Sequence, residues 1–265
     1  MLVVGELINA SRKAIGEAIK AADAKAIQDV AIQQQERGAD FIDVNAGIFV
    51  GEESAYMNWL IQTVQQAVDR PCCIDSPDPQ VVDQALAVHQ GPPMINSISL
   101  EKERYEAMLP VISKGKCKVV ALCMSDSGMP ETAEDRFAIA EELVNKLVQQ
   151  GLQQGDIYVD PLVQPVSTDD RYGMEFLKAI RMIMTRLDGV HTVCGLSNIS
   201  YGLPKRGLLN RTFMAMAVAS GLDGAIVNPL DRQMMATIQA AEALAGRQEY
   251  CMEYLDAYRE GHLEI

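Results

Sequence analysis

The chain has 265 residues, 48% of them apolar, and a formal net charge of −13. That length is close to the ~250 residues of one eight-fold barrel of alternating strands and helices, and it can bury a sizeable core without a second domain. The charge argues against general nucleic-acid binding and against an anionic membrane surface, so an anionic ligand would rely on local basic residues such as Lys205, Arg206 and Arg211.

The elements follow one another in a regular order. The first apolar run, LVVGE, ends at Glu6. A helical stretch from about Ser11 to Gly38 follows, with a break at Ala22-Asp23, where Asp23 is placed to cap a second helix and Gly38 to stop it. FIDVN brings Asp43 and Asn45, and a helix from about Glu53 to Asp69 carries the stripe Met57, Leu60, Ile61, Val64 and Val68. CCIDS ends at Asp75 and its neighbour, and helix Pro79–His89 leads to MINS with Asn96. Helix Glu101–Lys114 leads to VVALCM, which runs on to Ser125 and Asp126. Thr132–Asp135 resembles a capping box before a helix lasting to about Gln150. IYVD with Asp160, a helix Tyr172–Arg186, TVCGLSN with Ser197 and Asn198, helix Leu208–Ser220, AIVN with Asn228 and helix Asp231–Ala245 complete eight units. A last helix is expected over Glu249–Glu260.

Several of these runs are continuously apolar, as parallel strands covered on both faces require. The fold expected is α/β, a single (β/α)8 TIM barrel over residues 1–265. Its strand ends place a ring of carboxylates, amides and hydroxyls around one mouth. A doubly wound open sheet would need a Gly-rich phosphate turn after the first strand, and GELINAS is not one.

Asp75, Asn96 and Asp160 together offer carboxylate acceptors and an amide that both donates and accepts. Such a set fits a flat heterocycle with an amidine-like edge, as in a pterin or guanine. The competing explanation is that each simply caps the helix that follows. In GLSN, Gly195 lets a ligand approach the backbone, Asn198 projects at a strand tip, and the loop YGLPKRG brings Lys205 and Arg206 near. The three histidines, His89, His191 and His262, fall away from the expected strand tips, and the six cysteines form no CxxC pair. Neither a zinc cluster nor a Ser–His–Asp set is therefore expected, and the cysteines read as buried thiols. Cys72 and Cys73 are adjacent on a strand and so point to opposite faces. The start of the chain lacks a signal-peptide pattern, and no apolar run approaches the ~20 residues of a membrane helix, so a cytoplasmic protein is expected.

Taken in order, Glu6 and Asn9 in GELIN, Asp43 and Asn45 in IDVNAG, Asp75 in CIDS, Asn96 in MINS, Asp160 in DPL, and GLSN with Arg206 and NRTF resemble the methyltetrahydrofolate:corrinoid methyltransferases of the pterin-binding barrel superfamily. The resemblance covers essentially the whole chain. It implies methyl transfer between N5 of tetrahydrofolate and the cobalt of a corrinoid, with methyltetrahydrofolate or tetrahydrofolate as substrate. The chain has no Asp-x-His-x-x-Gly cobalamin motif, so the corrinoid is expected on a separate protein. Asp75, Asn96 and Asp160 would hold the pterin edge. Asn198 would act at N5, and Gly195, Ser197 and Arg206 would line the rest of the pocket. Glu6, Asp43 and Asn45 are implied to bind folate or to organise the floor. No protein-bound metal is implied, and N5 would be activated by protonation or hydrogen bonding. The family often forms homodimers, for which the closing helix with Tyr250, Met252, Tyr254 and Leu255 is apolar enough, although the same helix could simply pack on the barrel. Two other functions are compatible with the residues: a dihydropteroate synthase-like pterin enzyme, and a non-catalytic folate-binding subunit. The first is disfavoured by the absence of a long Asn-Val-Thr-Pro-Asp-Ser-Phe loop after the first strand and by LVQP where a lysine follows DPL in that family.

Overall fold

A computed structural model describes residues 1–263. Eight parallel strands, β1 (Leu2–Asn9), β2 (Phe41–Asn45), β3 (Cys72–Asp75), β4 (Met94–Leu100), β5 (Lys118–Ser125), β6 (Ile157–Asp160), β7 (His191–Thr192) and β8 (Gly224–Val227), lie in the order β7-β6-β5-β4-β3-β2-β1-β8. A parallel bridge between Gly195 and Ile226, with Ile226 N–H donating to the Cys194 carbonyl at 2.9 Å, closes the ring between β7 and β8. The barrel is possible there because Gly224 has no Cβ, which would stand 2.8 Å from the Thr192 carbonyl.

Helices α1 (Lys13–Lys20) and α2 (Ala24–Glu36) follow β1, and α3 (Glu53–Gln65), α4 (Pro79–Val88), α5 (Lys102–Ile112) and α6 (Ala133–Gln149) follow the next four strands. Helices α7 (Tyr172–Arg186), α8 (Arg206–Ser220) and α9 (Arg232–Leu244) follow β6, β7 and β8, and α10 (Met252–Arg259) closes the chain. Local chemistry sets the boundaries. Asp23 accepts from Ala26 N–H to start α2 after Ala22 turns left-handed at φ 51°. Thr132 and Asp135 form the reciprocal capping box of α6. Gly38, just after α2, takes the left-handed φ of +89° that a side chain would resist.

Side chains alternate across each strand, so every strand has an inner and an outer row. Val4, Phe41, Cys73, Met94, Val120, Tyr158 and Val193 fill the interior as one apolar layer, while Cys72, Ile74, Val119, Ala121 and Val159 pack outward against the helices. Cys72 and Cys73 do point to opposite faces, as expected. The inner apolar layer is the floor on which the mouth residues stand.

Two expected elements differ in form. TVCGLSN is not one continuous strand, because the regular part of β7 stops at Thr192 and Leu196–Ser200 is a 3-10 turn. The Arg206 guanidinium accounts for the curl: it donates to the Ser197 carbonyl at 2.6 Å and to Ser200 Oγ at 3.0 Å, drawing the segment back on itself. The closing segment is also broken, because Tyr250 and Cys251 adopt left-handed φ values of 51° and 57°, leaving a short turn before α10. No helix of the described residues is long and apolar enough to cross a membrane.

Candidate active site

The inner rows end at the carboxyl edge of the barrel in the groups singled out from the sequence. Asp43 is in register with Cys73, and Asp75 with Asn96, one step nearer the mouth. Asp160 pairs with Leu122 on the far side of β5. By strand parity all four side chains belong to the inner row, above Phe41, Cys73, Met94 and Tyr158.

The three proposed pterin-edge residues are not spent on capping. Helix α4 is capped by Asp78, whose side chain accepts from Gln80 N–H, while the N-cap positions of α5 and α7 are Glu101 and Arg171. Asp75 instead accepts from Asn45 Nδ2 at 2.8 Å, and Asn45 Oδ1 accepts from Gly47 N–H at 3.0 Å. Asn45 therefore aims Asp75 and stands beside it at the mouth end of β2. Asp160 Oδ1 accepts from Leu162 N–H at 2.8 Å.

Burial dominates the electrostatics of the mouth. It pushes the Asp160 carboxyl up to about 7, against the lowering pull of the Leu162 and Gly195 N–H groups. It pushes Asp43 well above the ordinary range, with the Asp75 charge adding to the rise and the Cys73 thiol and Asn96 amide tempering it. Asp43 Oδ1 is buried without a hydrogen-bond partner. Asp75 is also raised by burial, but the Asn45 amide and the Arg104 charge offset part of that rise.

Glu6 is held at the rim by Arg12 (Nη2 to Oε1, 2.9 Å). A β-bulge places it there: Gly5 pairs with Ile42 but Ile8 pairs with Val44, so β1 carries one extra residue. The buried Gln34 of α2 takes the Leu7 N–H at 3.0 Å, and only glycine fits beneath it, since a Cβ on residue 5 would meet Gln34 Oε1 at 2.5 Å. The contact between Gln34 and Gly5 escaped the sequence reading; the glycine four residues before the end of β1 was the available signal.

Gly195 sits at the barrel closure with open space where a Cβ would project. Asn198 lies on the 3-10 turn, not at a strand tip, exposed and with its carboxamide engaged by no other described residue. Ser197 and Glu6 line a small cavity of about 70 Å³ with Asn210, Asn228 and Asp231. Arg206 braces the turn from outside through Ser197 and Ser200, while Arg211 is paired with Asp231, so the basic group is partly committed to structure.

The histidines stand apart from this mouth. His89 accepts from Cys72 N–H, and His191 pairs with Asp223 at 2.7 Å while stacking on Tyr158. Five cysteines are buried, and burial raises the thiols of Cys72, to about 12, and Cys117, to about 11, so neither offers a thiolate nucleophile at neutral pH. Among the described residues no three His, Cys, Asp or Glu side chains are grouped as metal ligands.

A family model described as "Pterin binding enzyme" matches residues 5–228. The methylcorrinoid:tetrahydrofolate methyltransferase of Eubacterium limosum is 34% identical over 99% of this chain and 98% of its own length. A methionine synthase of Mycobacterium tuberculosis is 32% identical over 86% of this chain, which corresponds to 20% of that longer protein. Among solved structures, dihydropteroate synthase of Coxiella burnetii with pteroic acid aligns with a TM-score of 0.72 at 16% identity, covering 93% of this chain and 94% of that one. Dihydropteroate synthase of Xanthomonas albilineans with 7,8-dihydropteroate gives 0.69 at 17%, covering 92% and 93%. Those two likenesses establish the barrel fold alone, whereas the family match and the full-length relative establish kinship: the chain belongs to the pterin-binding enzyme family.

Proposed function

We propose that the protein moves a methyl group between N5 of tetrahydrofolate and the cobalt of a corrinoid carried by a separate protein. The observation that carries this reading is the presence of Asp75, Asn96 and Asp160 on one inner row, none of them used as a helix cap. A relative named for this reaction, matching along its whole length, supports it over pterin condensation.

In this reading the two carboxylates accept the N–H groups of the pterin's amidine-like edge, and Asn96 completes the edge. Asn198, free on its turn, approaches N5. In the demethylating direction the N5–CH3 bond breaks as Co(I) supplies the electron pair of the new Co–C bond, giving methyl-Co(III). The bonding pair stays on nitrogen, which takes a proton or a strengthened hydrogen bond. Asn198 Oδ1 stabilises the positive charge on N5, a contribution of roughly 3 kcal/mol for a preorganised contact. The reverse direction uses the same contacts by microscopic reversibility. Gly195 and Ser197 line the ligand's approach, with Arg206 holding their turn. The corrinoid carrier is the protein partner, the setting is cytoplasmic, and the exposed Tyr250, Met252, Leu255 and Tyr258 supply a face for a homodimer, which light scattering would detect.

The test is anaerobic mixing of the protein with methyltetrahydrofolate and reduced cobalamin, alone and on a corrinoid carrier protein, while the Co(I) absorbance is followed. Loss of Co(I) with formation of methylcobalamin is expected. Folate binding without loss on either acceptor would reduce the protein to a binding subunit, and synthesis of dihydropteroate from the pterin pyrophosphate would make it a synthase.

A further inference from the structure

The largest fully buried side chain of the protein is a cation, Arg136. It sits in the first turn of α6, at the helix end that disfavours positive charge. Its hydrogen-bond partners are main-chain carbonyls: Nε donates to Pro161 at 2.9 Å, and Nη1 to Glu131 at 2.8 Å and Thr132 at 3.0 Å. Nη2 is buried with no partner. A buried guanidinium without a bonded carboxylate is costly, so the arrangement calls for a compensating role.

What it joins is specific. Glu131 and Thr132 belong to the loop between β5 and α6, and Pro161 to the loop that leaves β6. Gln164 Nε2 ties the same two loops through the Pro130 carbonyl at 2.5 Å. Pro161 lies between Asp160 and Leu162, and Leu162 takes the left-handed φ of 65°, unusual for a branched side chain, with its N–H directed at Asp160 Oδ1. A parallel exists one unit earlier, where Arg104 of α5 donates to the carbonyl of Ser97, the residue after Asn96. In both places a guanidinium grips the peptide immediately beyond a mouth side chain.

We propose that Arg136 is a positioning residue for Asp160: by holding the Pro161 carbonyl it keeps the Leu162 N–H on Asp160 Oδ1 and fixes the aim of that carboxylate toward the pterin edge. This rests on the folate reading above. The Leu162 bond favours the ionised carboxylate, so loosening it raises the pH at which Asp160 ionises. The other titratable groups near Asp160 are the Cys123 thiol of β5 and the Cys194 thiol just beyond β7, both kept neutral by burial.

Arg136→Lys separates position from charge, since it keeps the cation but loses the planar fork. Methyltetrahydrofolate binding by calorimetry from pH 5.5 to 8.5 reads the outcome, with Arg136→Met as a second variant. The expected result for Arg136→Lys is a Kd at pH 8 weakened about tenfold and a midpoint of the pH dependence raised by roughly half a unit or more. KM for folate should rise more than kcat falls. If wild type binds and the Arg136→Lys profile superimposes on it, the positioning role is overturned while the folate reading stands. If wild type binds no folate, the reading itself fails and takes this inference with it.

Discussion

On the proposed assignment, Asp160 makes folate binding a proton-linked event. Its carboxyl is buried at the end of β6 and ionises near 7 in the unliganded protein. A pterin edge presents N–H donors, which favour the ionised carboxylate, so binding expels whatever proton Asp160 holds. At pH 6, one unit below that value, the protonated form outweighs the ionised form by about tenfold, and affinity should fall about tenfold below its plateau above pH 8. Each further unit downward costs about another tenfold, or about 1.4 kcal/mol.

Titration calorimetry across pH 5.5 to 8.5 measures this directly. Repeating it at pH 7 in buffers of contrasting ionisation enthalpy counts the protons released, about half a proton per folate from this group. Asp160→Asn should bind more weakly at pH 8 and lose this component of the pH slope. A flat Kd in wild type, or proton uptake in place of release, would refute the assignment of Asp160 to the donor edge.

Other substitutions test neighbouring links. Asp160→Asn should stabilise the empty protein at pH 8: a folded value near 7 against 3.8 unfolded means the folded state holds its proton more tightly, so stability is highest below 3.8 and is lost as pH rises to 7. The bound is about 4 kcal/mol, and the melting-temperature gap between variant and wild type should widen from pH 5 to pH 8; a constant gap would contradict it. Gly5→Ala forces a methyl to within 2.5 Å of Gln34 Oε1, and a loss of about 1–3 kcal/mol in urea unfolding is expected, with an unchanged midpoint ruling out the tight contact. Asn198→Ala should slow methyl transfer by about a hundredfold in stopped flow while shifting folate Kd by less than about threefold; wild-type rates would remove Asn198 from the chemistry.

The order of elements was legible because it rests on local rules. The capping box at Thr132, the Asp23 cap, the Gly38 stop and the apolar stripe of α3 are each written within a few residues, and each appears as expected. The inner-row placement of Asp43, Asp75, Asn96 and Asp160 was legible for the same reason, since strand parity is a two-residue rule. What sequence reasoning missed depends on distant partners. The 3-10 turn carrying Asn198 is drawn by Arg206, eight residues on, and the bulge at Leu7 by Gln34 from another element. The arginine clamp on Pro161 spans 25 residues, with no periodicity to announce it.

Asp43 and Asp75 show how the barrel keeps two carboxyls on adjoining strands without leaving both charged. Two acids so placed in a buried site cannot both ionise cheaply, and one must keep its proton. Asp75 has the Asn45 amide and the nearby Arg104 charge in its favour, whereas Asp43 lies deeper, feels the Asp75 charge, and has one oxygen unpartnered. A proton shared by the pair therefore rests on Asp43, and the charge on Asp75, one register step nearer the mouth. Asp43→Asn then replaces one neutral group by another of the same shape and should leave folate Kd at pH 7.5 within about threefold. Asp75→Asn deletes the charge proposed to receive the pterin's N–H groups and should weaken binding by about tenfold or more, the worth of a hydrogen bond to a charged partner. Equal losses at the two positions would mean that the upper carboxyl is not the one the ligand meets.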